Sequence, residues 1–457
     1  MKSHEVKMSW KAEFQAVVMA LGKGSRMTDL TANCPKSLLP VANYPMVWYP
    51  LHLLQTAGFE EAIVITSESS KIRTQKELAG KLKIRLDIVE INDDEWGTVE
   101  SLVHVADKIK SDVLVVSCDL ITDVDLYKFA ELHRVQDSTL TALFTPISNE
   151  VKLAAPGSKT KPHLELDFVA LDSETSQLLM ICSEADLDDT ISFRRNILER
   201  HPNCTVYSKL MDAHLYLMKK SVLDDLVKKH LLIVVFFLNF SSIKGELVPS
   251  LIEEQFKSLN SSGNHLSANK FNFQTISSDA FHALSSDEIL QTLTEDYGTH
   301  SNRLTCFGCV MDAPFCIRAN TLSSYFEANK KVMQSATPMQ STRIDATVQK
   351  AQNSRIDNVS FIGAQTSIGD KSRLNRSVVG QNCQIGPNCQ VSNCVIMNNV
   401  IIGNGCNLEG CIVADEVNIG VKCNLKDCLI TARVVVESSV KSTRELIADA
   451  QQMMEIE

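Results

Sequence analysis

The sequence predicts an α/β domain followed by a left-handed parallel β-helix, and three observations lead there. Strand-like and helix-like patches alternate from Phe14 to about Phe256, the mark of an α/β layer structure. The first apolar run, Ala16 to Ala20, empties into a glycine turn with basic residues nearby, where an open α/β sheet places a ligand. Near the C-terminus, aliphatic residues and glycines recur every 17 residues, a period that belongs to a coil.

Ala16-Val17-Val18-Met19-Ala20 is short and continuously apolar, as a strand buried on both faces should be. Leu21-Gly22-Lys23-Gly24-Ser25-Arg26 follows, then Pro35-Lys36-Ser37-Leu38-Leu39-Pro40-Val41. Chain lacking Cβ at Gly22 and Gly24 can lie against a polyanion, and Arg26 and Lys36 bring two positive charges to the same mouth. The spacing is not that of a P-loop. Met46 to Ala57 suits a helix stopped by Gly58; Glu61–Thr66 and Leu86–Val89 read as the next strands. Gly97-Thr98 opens a helix, with Thr98 as its cap. Asp112–Ser117 is a further strand, and Asp119 follows at its carboxyl end. There it either holds magnesium across from the phosphate loop or caps the next turn, a role that Asp123 and Asp125 also fit. The run Leu231–Leu238 has no alternation and reads as a deeply buried strand.

Residues 259–300 are rich in Ser, Asn and Thr and read as linker, with one helix at Ser286–Thr294. Cys306, Cys309 and Cys316 lack a fourth ligand for zinc and are expected as plain thiols on a short strand pair. Ser323 to Val332 suits a brief helix. Beyond it, Ile368-Gly369, Ile385-Gly386, Ile402-Gly403 and Ile419-Gly420 stand 17 apart. Ile362, Val379, Ile396, Val413 and Ile430 keep the same period, as do Leu374, Val391, Leu408 and Leu425. Steps of six, six and five describe a triangular coil with one inward aliphatic per side. Cys389, Cys406 and Cys423 form one ladder and Cys394, Cys411 and Cys428 another, expected as small buried thiols. No histidine occurs from Ser301 to Glu457, so acyl transfer by this coil is excluded and an assembly role expected.

The expected divisions are 1–13 leader, 14–256 α/β domain, 257–302 linker, 303–340 connecting segment, 341–437 β-helix and 438–457 tail. A net charge of −10 with no basic footprint argues against direct nucleic-acid binding. The longest apolar run is far short of the roughly 20 residues that span a membrane. With no secretory signal at the N-terminus, a cytosolic protein is expected.

The combination of strand, Gly22-Lys23-Gly24-Ser25-Arg26 and Pro35-Lys36-Ser37-Leu38-Leu39-Pro40-Val41 resembles the opening of the sugar-nucleotide pyrophosphorylases. The resemblance implies a Rossmann-like nucleotidyltransferase domain. In it, Gly22 and Gly24 wrap a nucleoside triphosphate, Arg26 and Lys36 neutralise its phosphates, and Gly97 and Thr98 lie beside nucleobase and sugar. Asp119 would hold the bridging magnesium. Several positions depart from that pattern. Leu21 replaces a glycine, Leu178–Glu184 offers no lysine for a sugar phosphate, and His214 stands where a glycine leaves room for a hexose. The expected result is a half-kept phosphate end, a filled sugar end and no catalytic residue.

Over nearly its whole length the chain is similar to the gamma-subunit family of eukaryotic translation initiation factor 2B. Phe14–Ala20 with Gly24–Thr31, Val113–Val124, Asn196–Leu198 with His201-Pro202, and Met211–Tyr216 carry that similarity, while Leu21 and residues 231–240 depart from it. The departure at 231–240 reads as a lineage insert or as untranslated sequence read through. The similarity implies a non-catalytic subunit of the guanine nucleotide exchange complex that promotes GDP release from initiation factor 2. Its implied partners are the epsilon subunit, the rest of that complex and initiation factor 2, with no membrane or nucleic acid. No cofactor is required, and a nucleotide with magnesium near Arg26, Lys36 and Asp119 would be a ligand rather than a substrate. The alternative is an active pyrophosphorylase of the mannose-1-phosphate guanylyltransferase type.

Overall fold

A computed structural model of the chain describes residues 13–91, 96–146, 155–159, 166–184, 190–191, 193–236, 240–256, 304–311, 315–335 and 343–448. Among these residues the main sheet of the first domain has nine strands. Phe14–Met19 lies at its centre, parallel to Glu61–Ser67 on one side and Asp112–Ser117 on the other. Arg85–Ile91 extends the parallel set beyond Glu61–Ser67. Cys204–Met218 then runs antiparallel to Asp112–Ser117 and, further along, to Asp167–Asp172 on one edge, and to Leu140–Pro146 on the other.

The continuous apolar character of the first strand follows from burial on both faces. Phe14, Ala16 and Val18 pack into one core with Met27, Leu39 and Trp48. Val17 and Met19 pack into a second core with Val99, Leu102 and Val105. The helix expected from Met46 begins at Trp48 and ends at Gly58, whose φ of 99° lets its N–H turn back onto the last carbonyls.

Three expectations are corrected. The run expected as a strand at 231–238 is instead helical as far as Phe236, in the helix Lys220–Phe236. A uniformly apolar run carries no period of its own, and a helix nucleated at Lys220 propagates through it more cheaply than a strand forms afresh. Cys306 and Cys316 do not sit on paired strands. Cys306–Val310 lies parallel to Leu140–Pro146 in the main sheet, and Cys316–Arg318 lies antiparallel to Leu120–Thr122. The connecting segment is therefore built into the first domain. Finally, the coil does not stop at 437, because Lys441–Thr443 and Leu446–Ile447 continue its sheets. The helix expected at Ser286–Thr294, the linker and all of the leader except Glu13 lie outside the described residues. The helix expected at Ser323–Val332 is present as Leu322–Gln334, capped by Thr321.

The C-terminal domain is a parallel coil of three sheets, each with six strands among the described residues. Val378, Val395, Ile412 and Leu429 pair in succession along one sheet, so the period of 17 is the coil itself. The glycines in register with Gly403 are needed for close approach: a Cβ on Gly403 would lie 2.7 Å from the carbonyl carbon of Gly420 in the next coil. Left-handed corners fall at other residues, among them Asn382, Asn388, Asn393, Asn399, Gly405 and Gly410. The cysteine ladders hold free thiols. Sγ of Cys389 donates to the Gly403 carbonyl at 3.0 Å, as the Ser372 hydroxyl does to Gly386 at 2.7 Å.

One face of the coil is not exposed. Phe361, Val378, Val395, Ile412 and Leu429 join the same core as Phe14 and Trp48. Asn43 Nδ2 also donates to the Val379 carbonyl at 2.8 Å, and Gly157 N to that of Asp427 at 2.8 Å. Among the described residues no helix is long and apolar enough to cross a membrane.

Candidate functional site

Asp119 is delivered by topology. Its strand runs beside Phe14–Met19, and Cys118 N donates to the Met19 carbonyl at 3.0 Å, so the carboxylate arrives beside the Leu21–Arg26 loop. It is completely buried. Lys36, on the short 3-10 turn Lys36–Leu38, places Nζ 2.5 Å from Oδ2. Arg318, at the end of the Cys316–Arg318 strand, donates from Nε to Oδ1 at 3.3 Å and from Nη2 to Oδ2 at 3.2 Å. Burial alone would raise the carboxyl's pKa, but Arg318 and then Lys36 outweigh it and hold Asp119 well below the usual carboxylate range. The Arg318 guanidinium, which burial would weaken, is held charged chiefly by Asp119.

At the expected sugar end, His214 sits in the left-handed region at φ 50°. Its backbone N–H donates to Asp212 Oδ1 at 2.7 Å, while Tyr216 OH donates to Asp212 Oδ2 at 2.6 Å. Burial and then the Arg318 charge keep the imidazole neutral, well below the ordinary histidine pKa. Beside it, Asp167 receives the Lys244 ammonium at 2.7 Å and the Asp212 N–H at 3.2 Å.

At the expected nucleobase end, the helix Thr98–His104 starts from Gly97, and the Gly97 N–H is bound by Glu100. Thr98 is therefore not the cap. Its hydroxyl accepts from Ile243 N at 2.9 Å, and Val99 N donates to the Ser241 carbonyl at 3.0 Å. A Cβ on Gly97 would come within 2.1 Å of that carbonyl oxygen, so the chain around Ser241 covers this glycine directly.

Of the remaining loop residues, Gly22 lies against Lys36, a Cβ there coming 3.5 Å from the lysine Cδ. Gly24 adopts φ 71°, and a Cβ there would press on Thr31 at 2.5 Å. Gly22 and Arg26 are exposed, and Asp119's ion-pair partners are Lys36 and Arg318 rather than Arg26. Leu21 packs against the second core. Sequence reasoning missed Arg318, Lys244 and Ser241. A hint existed for Arg318, since an arginine within the apolar stretch Phe315–Ala319 must meet a counter-charge if buried.

A magnesium ion at Asp119 does not fit these residues. Both carboxylate oxygens are engaged by cations, and among the described residues no group of three or more His, Cys, Asp or Glu could hold a metal. The Asp119 pocket is arranged to neutralise one buried carboxylate with the chain's own side chains.

A nucleotidyltransferase-type domain joined to a left-handed β-helix defines the class of this protein. The Nucleotidyl transferase family model matches residues 15–153, and the EIF2B subunit epsilon LbH domain model matches 341–442. Translation initiation factor eIF2B subunit gamma of Schizosaccharomyces pombe is 31% identical over 369 residues, covering 79% of this chain and 74% of that protein. The subunit gamma of Caenorhabditis elegans is 33% identical over 54% of this chain and 59% of its own length. That of Dictyostelium discoideum is 26% identical over 70% and 75%. The chain belongs to the family of translation initiation factor eIF2B gamma subunits.

Proposed function

We propose that this chain is a non-catalytic subunit of the guanine nucleotide exchange complex for initiation factor 2, scaffolding the epsilon subunit and supporting GDP release in the cytosol. The observation that supports it most is the occupation of Asp119 by Lys36 and Arg318 in a chain of the gamma family. Nucleotidyl transfer depends on positioned positive charge around a metal-bound triphosphate. Here the positive charge is spent on a protein carboxylate, and the Ser241 backbone lies over the glycine expected beside the base. Gly22, Gly24, Arg26, Lys36, Gly97 and Thr98 are, on this reading, remnants of a nucleotide loop.

The competing reading is a pyrophosphorylase, favoured by the family-model match at 15–153. Incubating the purified chain with mannose 1-phosphate, GTP and magnesium separates the two. No pyrophosphate above the protein-free rate is expected, whereas steady release would overturn the proposal. Co-expression with the epsilon subunit should give a stable complex and faster GDP release from initiation factor 2 than epsilon alone. An epsilon subunit equally active and equally soluble alone would refute the scaffold role.

A further inference from the structure

We propose that Arg318 is a built-in substitute for a divalent cation, and that it turns the Asp119 pocket into the joint between the two domains. The inference rests on the non-catalytic reading and extends it by naming what fills the pocket and what the filling accomplishes. The guanidinium is planar, weakly hydrated and able to fork onto both oxygens of a carboxylate, which suits it to a buried pair better than an ammonium. Arg318 uses that fork on Asp119, and Lys36 completes the shell at Oδ2. A magnesium ion would need those same oxygens at roughly 2.1 Å.

The segment that carries Arg318 also carries the connection to the coil. Ala319 N donates to the Asp119 carbonyl at 2.9 Å, directly after the ion pair. Three residues on begins the helix Leu322–Gln334. Its Tyr325 OH donates to the Pro40 carbonyl at 2.5 Å, and its Asn329 Oδ1 accepts from Ala42 N at 2.9 Å, both on the stretch that presents Lys36. Arg343 Nη1 donates to the Met333 carbonyl of that helix at 3.0 Å, its guanidinium lies over the Phe361 ring at 5.1 Å, and Phe361 belongs to the core shared by both domains. One continuous path therefore runs from the buried carboxylate to the first coil.

The test uses the full chain as wild type, Arg318→Ala, Arg318→Lys and Asp119→Asn. Melting is followed with and without manganese and with millimolar methylguanidinium, and manganese binding is read by electron paramagnetic resonance. Wild type should bind no manganese at this site and show no shift in Tm with either additive. Arg318→Ala should melt several degrees lower, on the order of 5 °C, and regain part of that loss with methylguanidinium or manganese. Arg318→Lys, which keeps the charge but not the fork, should fall between the two. It supplies the measurement if Arg318→Ala does not fold. Manganese bound by wild type and lost in Asp119→Asn would overturn the inference, as would Arg318→Ala or Arg318→Lys melting like wild type. Such a result without pyrophosphate release sinks this inference alone. Pyrophosphate release by the wild type would sink the reading beneath it.

Discussion

Asp119 and His133 are both buried, and their neighbours give them opposite fates. Asp119 meets two cations and stays ionised, whereas His133 meets a hydroxyl, Thr141 Oγ1 at 2.8 Å, and the edge of Phe14. Its Nε2 is buried without a hydrogen-bond partner, and burial, then the Lys219 charge, push its pKa down to about 4. The unfolded chain takes up this proton near the ordinary histidine value of roughly 6.5. Between those values the unfolded state binds a proton that the folded state refuses, so stability is complete above that range and falls as pH drops through it. The loss is about 3 kcal/mol at most. Urea midpoints at pH 7 and pH 4.5 should therefore differ more in wild type than in His133→Gln. An equal pH dependence in both would remove His133 as the cause.

At the scale of the element, some segments were legible and others were not, for reasons of local pattern. The Phe14–Met19 strand announced itself because burial on both faces leaves an unbroken apolar run. The run that begins at Leu231 had the same composition, yet as far as Phe236 it continues a helix begun at Lys220, since composition does not distinguish the two. The N-terminus of Thr98–His104 was recognisable, but nothing nearby in sequence says that Ser241 lies over it. That contact can be probed with two glycines. Gly97 has an ordinary φ of −80°, so an added methyl offends only by striking Ser241, whose carbonyl oxygen and hydroxyl both lie at 2.1 Å. Gly80 has φ +72° and open space, so the same change there costs only the backbone preference, roughly 1 kcal/mol. Gly97→Ala should cost more than Gly80→Ala, about 2 kcal/mol or above, and should speed amide exchange at Val99. Equal destabilisation with unchanged exchange would mean that the Ser241 strap yields freely.

Over the whole molecule, the two domains share one core rather than meeting at a polar seam. Val395, Ile412 and Leu429 of the coil lie in the cluster that also holds Phe14 and Trp48. Interfaces of this apolar kind couple the folding of the parts they join. Calorimetry of the intact chain should show one unfolding transition. Ile412→Glu, which buries an unpaired carboxylate at a fully enclosed position, should split it into two. Two transitions already present in wild type would show that the domains melt independently.

From the sequence alone came the period of the coil, the rows of inward aliphatics, the central strand and its glycine turn. Each is written in short-range spacing that solvent exclusion imposes on neighbouring residues. The pairing of Arg318 with Asp119 spans 199 residues, and that of Thr98 with Ile243 spans 145. A buried charge signals only that some partner must exist; which residue answers it is settled when folding brings distant strands side by side. Tertiary structure thus decided that Arg318 and Lys36 are the cations that answer the Asp119 carboxylate.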